Sequence, residues 1–201
     1  MASVVLVGGK SLRLGRDKVF ETIDGENLLQ RVVTCLASLT DRIILVAAPR
    51  QSIPPLPPHL KVSKVVDIYP GKGSLGGIYT GLSASDYSHS LVVACDMPFL
   101  NLALLRHLIW LCPRFDAVIP RIARLLEPLH AVYSKSCLAA IEVLLQQDKL
   151  RITDLLDQIR VRYVEEDEID RFDPERLSFF NINTAADLER ARALAVRNAN
   201  D

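Results

Sequence analysis

The chain lacks an excess of charge of either sign. Its 24 Lys and Arg balance 24 Asp and Glu over 201 residues. No overall field draws it to a nucleic-acid backbone or an anionic membrane, so any anion must be held by a local arrangement. It also lacks cysteine pairs. Cys35, Cys95, Cys112 and Cys137 stand far apart, with no Cys-x-x-Cys and no histidine at ligand spacing. That argues against a zinc site or a disulfide framework and for small core residues. No apolar run approaches the length of a membrane span, and the first is too short for a signal peptide. The expectation is a cytoplasmic protein. Internal repeats, low-complexity tracts and an interdomain linker are missing too, so the length predicts one domain with a substantial core.

What is present is an alternation of β-branched apolar runs with helical periodicity, the pattern of an α/β sheet with helical crossovers. Strands are predicted at 3–8, 42–47, 62–67, 90–95, 115–119, 129–133 and 178–182. Helices are predicted near 27–38, 76–85, 101–111, 134–147 and 184–197. The first of these carries Leu28, Leu29, Val32, Val33 and Leu36 on one face, and the last opens on a capping-type Thr184-x-x-Asp187. The proline-rich Ile53–Pro58 segment reads as a stiff connector between two strands rather than an SH3 ligand. Glu165-Glu166-Asp167-Glu168 reads as a solvated acidic face, and His130 as a packed histidine rather than a catalyst.

The most informative segment is Val4-Val5-Leu6-Val7-Gly8-Gly9-Lys10-Ser11-Leu12-Arg13-Leu14-Gly15-Arg16-Asp17-Lys18. A buried strand runs into a glycine turn with two spaced cations, Arg13 and Lys18, a combination suited to a polyphosphate. A Walker A loop fits Gly9-Lys10-Ser11 but would need its first glycine at Val4, and Gly-x-Gly-x-x-Gly is absent here. The segment resembles the nucleotidyltransferase signature Leu-x-Gly-Gly-x-Ser-x-Arg-x-Gly-x-Asp-Lys. Leu6, Gly8, Gly9, Ser11, Arg13, Gly15, Asp17 and Lys18 fill its fixed positions. Within that superfamily the Asp-Lys ending most resembles the molybdenum cofactor guanylyltransferase (MobA-like) family.

Later motifs follow the same family order. Gly73-Ser74-Leu75-Gly76-Gly77 resembles the family's Gly-Pro-Leu-x-Gly loop against the base, with Ser74 in place of proline. The overlapping Gly71–Gly76 also satisfies a dinucleotide fingerprint, with Asp96 at ribose-acid spacing, but Tyr69-Pro70 separates it from its strand. Asp67, at a strand end, matches the family's base- or ribose-contacting acid; a turn aspartate is the plainer alternative. Asp96 ends the apolar run Leu91–Cys95, where open α/β sheets collect ligands, and a carboxylate there calls for a cation such as magnesium. It matches the family's Asp-x-Pro metal site, with Asn183 a second candidate ligand. Glu127-Pro128-Leu129 resembles the acceptor-side strand. Nearby Arg121 and Arg124 could bind a pterin phosphate or simply tip a solvated hairpin. Asn181 and Asn183 match Asn-x-Asn-Thr; at strand period both amides reach one site, or they cap the last helix.

The resemblance implies a three-layer, Rossmann-like nucleotidyltransferase fold with a mostly parallel central sheet and helices on both faces. A nucleotide-binding half would occupy about 1–100 and an acceptor-binding half about 101–201. It implies transfer of GMP from GTP to molybdopterin with release of pyrophosphate. Catalysis would use Arg13, Lys18 and Asp96, and nucleotide binding Leu6, Val7, Gly8, Gly9, Lys18, Asp67, Gly76 and Asp96. Mg2+ would sit on Asp96, and Glu127, Asn181 and Asn183 would meet the acceptor. Implied partners are the two substrates, with transient contact to molybdoenzymes or other cofactor-synthesis proteins, and neither nucleic acid nor membrane. Val7, Leu14 and Ser74 depart from the commonest guanylyl pattern, which keeps a cytidylyl- or sugar-phosphate nucleotidyltransferase open. A nicotinamide-dependent oxidoreductase reading Gly71–Gly76 and a non-catalytic nucleotide sensor are the readings from other classes.

Overall fold

The structure is a computed structural model and describes residues 1–8 and 18–198. Its strands are β1 (Ala2–Leu6), β2 (Thr22–Ile23), β3 (Glu26–Asn27), β4 (Arg42–Ala47), β5 (Val62–Val66), β6 (His89–Ala94), β7 (Ala117–Ile122), β8 (Leu125–Leu126), β9 (His130–Ser134) and β10 (Val161–Val164). Its helices are α1 (Leu28–Ala37), α2 (Gly73–Ala84), α3 (Leu102–Leu111), α4 (Leu138–Gln146), α5 (Ile152–Leu156), α6 (Glu166–Ile169) and α7 (Ala185–Asn198). The main sheet runs in the order β10-β7-β9-β6-β1-β4-β5, with β8 hydrogen-bonded to β7; β2 and β3 form a separate hairpin. Only β8 and β9 oppose the direction of the other strands in the main sheet, so the carboxyl ends of the rest share one edge.

Side chains alternate across this sheet and fill two cores, as strand geometry requires. Val5 and Val7 face one layer with Leu29, Val33 and Leu36 of α1 and Leu104, Leu105 and Leu108 of α3. Val4 and Leu6 face the other layer with Leu75, Ile78 and Leu82 of α2 and Ile141, Leu144 and Leu145 of α4. The result is the expected three-layer α/β fold. A third cluster seats α7 through Leu188, Ala191 and Ala195 against Ile23 and Leu28. The helix starts are built as their sequences suggest: the Asn27 side chain accepts the Gln30 N–H at 2.8 Å, and Asn101 accepts the Leu104 N–H at 3.0 Å. Thr184 and Asp187 cap reciprocally, as the Thr-x-x-Asp spacing predicts.

Two expectations are corrected. Residues 178–182 form no strand; a 3-10 turn covers Leu177–Phe179. Arg176 sits in the left-handed region at φ 54°, and the buried Asp173 carboxylate takes the Leu177 and Ser178 N–H groups that a strand would offer to a neighbour. Glu165–Glu168 is mostly not a solvated face. Glu165 pairs with Arg121, Glu166 with Arg176, and Glu168 with both His107 and Arg162; Asp167 alone of the four is strongly exposed. The strand β10 was not predicted, because Val-Arg-Tyr-Val is short and half polar. Among the described residues, no helix is long and apolar enough to cross a membrane.

Helix α2 comes close to β1 because glycines face it. A Cβ on Gly81 would lie 2.2 Å from a Val4 methyl, and one on Gly77 would lie 3.1 Å from a Leu6 methyl. Gly81→Ala should therefore cost about 2–3 kcal/mol, since Val4 is locked in the central strand. Gly77→Ala should be near neutral, because Leu6 can give and alanine favours the helix by about 1 kcal/mol. Urea-unfolding midpoints of the two variants check this difference. His130 is fully buried against the Phe179 ring, with neither ring nitrogen hydrogen-bonded among the described residues, and burial pulls its pKa down to about 3. The unfolded imidazole titrates near 6.5, so between those values the unfolded chain holds the extra proton. This part of the stability is complete above about pH 6.5 and is lost as pH falls toward 3, amounting to about 2 kcal/mol by pH 5. His130→Leu should flatten that part of the stability curve, as read from urea midpoints at pH 7 and pH 5.

Candidate functional site

Strand order reverses at β1: the chain passes from β1 to β4 and β5 on one side, then crosses to β6 on the other. Open α/β sheets gather ligands at such a point, outside the carboxyl ends. A cleft of about 920 Å³ lies there, walled by Leu6 at the end of β1 with Val7 and Gly8 after it, Ala48 and Gln51 after β4, Asp67 after β5, and Asp96 after β6. Lys18, Asn181 and Asn183 line it as well.

Its chemistry concentrates on Lys18. The ammonium donates to Asp96 Oδ2 at 3.1 Å and to Asn183 Oδ1 at 2.8 Å, and the Lys18 and Asp96 side chains are only 16% and 19% exposed. A half-buried carboxylate is costly without a cation, and this lysine supplies one. Asp96 is positioned by the end of β6, where Cys95 N–H donates to the Leu6 carbonyl, and its own carbonyl accepts the Ile182 N–H at 3.0 Å. That last bond brings Asn181 and Asn183 to the cleft. Both line it, but on an irregular segment, and Asn181 spends an amide N–H on the Phe179 carbonyl.

The opposite wall is also tied down. Gln51 donates from Nε2 to the Val7 carbonyl at 3.2 Å, and its Oε1 accepts the Ala48 N–H at 3.0 Å, joining the ends of β1 and β4. Val7 N–H goes to the Val46 carbonyl at 2.9 Å. Val7 therefore lines the cleft without a free amide to offer a ligand. At the far end Asp67 Oδ1 accepts from the Tyr69 N–H and the Thr80 hydroxyl.

Of the residues expected from sequence, Leu6, Val7, Gly8, Lys18, Asp67, Asp96, Asn181 and Asn183 line this one cleft. Gly9 and Arg13 lie outside the described residues. Gly76 does not line the cleft; its α-carbon packs against the Tyr69 carbonyl, 2.8 Å from where a Cβ would stand, while Gly71, Gly73, Ser74 and Gly77 form that wall. Glu127 is not part of it either. It is half-buried beyond the start of β9, and burial raises its carboxyl pKa. Arg121 is engaged by Glu165 and lies over the Tyr163 ring, in a separate open recess that Arg124 also lines. Gln51 and the end of β4 were missed in sequence. The strand-end rule alone could have flagged them, since no motif marks them.

No group of three His, Cys, Asp or Glu side chains converges among the described residues. Asp96 and Asn183 instead offer one carboxylate and one amide oxygen beside open space. That set fits Mg2+, which takes most of its ligands from substrate phosphates and water. It does not resemble a closed zinc or calcium cage.

Comparison with known proteins agrees with this geometry. The family model described as MobA-like NTP transferase domain matches residues 3–162. A molybdenum cofactor guanylyltransferase of Desulfosudis oleivorans is 35% identical over 197 residues, covering 96% of this chain and 95% of its own. The protein of the same name from Syntrophotalea carbinolica is 34% identical over 193 residues, covering 95% and 90%. Among solved structures, molybdopterin-guanine dinucleotide biosynthesis protein A of Archaeoglobus fulgidus superposes with a TM-score of 0.82 at 29% identity, covering 98% of this chain and all of that one. The 2-C-methyl-D-erythritol 4-phosphate cytidylyltransferase of Thermus thermophilus shares the fold, with a TM-score of 0.70 at 17% identity. A glycine-walled cleft at the switch point of a parallel sheet, the family match over most of the chain and the curated relatives converge: this chain belongs to the MobA-like NTP transferase family and is a nucleotidyltransferase.

Proposed function

We propose that the protein transfers GMP from GTP to the phosphate of molybdopterin, forming the guanine dinucleotide cofactor and releasing pyrophosphate. The observation that carries this reading is the convergence of Lys18, Asp96 and Asn183 on one point in a cleft lined by the family's nucleotide segments. A terminal phosphate oxygen of the acceptor attacks the α-phosphorus in line; the new P–O bond forms as the bond to the β-phosphate breaks. No covalent enzyme intermediate is required, so the chain's contribution is positioning and charge neutralisation.

In this reading Lys18 gives its ammonium to the phosphates as they enter, exchanging the Asp96 and Asn183 oxygens for phosphate oxygens. Asp96 and Asn183 would then hold Mg2+, which when bound neutralises charge on the triphosphate. Arg13 is assigned to the leaving pyrophosphate on the sequence pattern. Leu6–Gly8, braced by Gln51, and Asp67 hold the nucleotide. Asn181, which also lines the cleft, is left for the acceptor. The halves of the chain divide accordingly, with nucleotide residues before about residue 100 and acceptor residues after it. Transient delivery of product to a molybdoenzyme, in the cytoplasm, completes the proposal.

Lys18→Ala and Asp96→Ala should each lower pyrophosphate release from GTP plus molybdopterin by about a hundred-fold or more. Asn183→Ala, which removes a neutral partner, should cost about ten-fold. Near wild-type turnover in either of the first two variants overturns the assignment. A pyrophosphate-release screen of GTP, CTP, ATP and UTP with molybdopterin and with sugar phosphates should show GTP with molybdopterin as the fastest pair. A faster CTP or sugar-phosphate reaction would replace the guanylyl reading.

A further inference from the structure

Thr80 is 3% exposed, in the middle of α2, and belongs to none of the motifs that mark the site. Its hydroxyl nevertheless meets three groups at the end of the cleft where Asp67 stands. It lies 2.9 Å from Asp67 Oδ1, 2.9 Å from the Gly76 carbonyl and 3.2 Å from the Ile68 N–H. A hydroxyl has one proton, so it accepts from Ile68 and donates to either the carboxylate or the carbonyl. Within a helix, threonine ordinarily gives that proton to the carbonyl four residues back. Here the competing acceptor is an ionisable carboxylate, and a charge-assisted bond is the stronger of the two.

The second contact on the same oxygen is the Tyr69 N–H, at 3.0 Å. Oδ1 is thus held by one donor from the chain after β5 and one from α2. Both bonds fall on Oδ1, which leaves Oδ2 for the cleft that Asp67 lines. An ionised carboxylate oxygen can only accept. It suits the N–H or O–H donors of a nucleoside and rejects groups that present lone pairs.

We propose that Thr80 is the positioning residue that orients Asp67, so that Oδ2 accepts hydrogen bonds from donor groups of the bound nucleoside. This rests on the nucleotidyl-transfer reading above. Without the hydroxyl, Oδ1 keeps only the Tyr69 N–H, and the carboxylate can turn about its side-chain bonds. Thr80 also ties Asp67 to α2, the helix whose first turns carry Gly73, Ser74 and Gly77 of the cleft wall. The acid and the glycine wall therefore present themselves to the nucleoside as one unit.

The test compares wild type with Thr80→Val, Thr80→Ser, Asp67→Ala and the Thr80→Val/Asp67→Ala double variant. Equilibrium binding is titrated with whichever of GTP, CTP, ATP and UTP the wild-type protein holds most tightly, alongside KM and kcat for the full reaction. Thr80→Val should weaken nucleotide binding and raise KM about ten-fold, the order expected for one charge-assisted hydrogen bond, with kcat within about two-fold. Thr80→Ser, which keeps the hydroxyl, should recover most of the affinity. The double variant should bind no worse than Asp67→Ala. The proposal is overturned if Thr80→Val binds as wild type does, if Thr80→Ser is as impaired as Thr80→Val, or if the two losses add in the double variant. A tightest nucleotide other than GTP would overturn the guanylyl assignment while leaving the Thr80 comparison readable.

Discussion

Helix α2 lies against β1 with glycines at the contact, and a methyl group at Gly81 would meet Val4 at 2.2 Å. That close approach sets the depth of the cleft on the α2 side. It draws the start of α2, with Gly73, Ser74 and Gly77, into the cleft wall beside Leu6. It also places Thr80 under Asp67. A helix with ordinary side chains on this face would stand farther from the sheet, and the wall would retreat from the end of β1. The glycines weaken the helix itself, a cost that the buried Leu75, Ile78 and Leu82 offset through packing.

The other side of the cleft depends on charge. A protein with no net charge cannot attract a triphosphate from a distance, so the attraction must be concentrated where it acts. In the proposed reaction that is the task of Lys18, which Asp96 and Asn183 hold. The pair keeps a half-buried carboxylate and a half-buried ammonium compensated in the absence of ligand. In the proposed reaction an incoming phosphate replaces the oxygens that Lys18 gives up. The exchange can proceed without leaving a bare charge in the interior.

Away from the cleft, the acidic segment after β10 shows how tertiary contacts rewrite a local reading. Four consecutive acids suggest solvent, yet Arg121 and His107 from distant positions, with Arg162 and Arg176 from nearer ones, meet three of them. Arg121 is thereby committed to Glu165, which leaves it a poor candidate for an unpaired phosphate ligand. The Asn181–Asn183 segment shows the converse. Both amides reach the cleft as expected, although Asp173 and the left-handed Arg176 abolish the strand that was meant to carry them.

The residue pattern alone determined the α/β class, the five longest helices, the strands that form the centre of the sheet, and the charged and amide side chains Lys18, Asp67, Asp96, Asn181 and Asn183 of the cleft lining. Apolar periodicity, cap residues and strand-end acids are local signals, and burial rewards the periodicity directly. Asp67, Asp96 and Lys18 were legible because each ends or follows a recognisable element. Gln51, Thr80 and β10 were not, since what they do depends on a neighbour 12 or more residues away in the chain. Tertiary structure likewise decided that Gly76 packs behind the wall while Gly71, Gly73 and Gly77 form it. Which way a glycine faces follows from how the helix docks, and docking is settled by side chains on the other element.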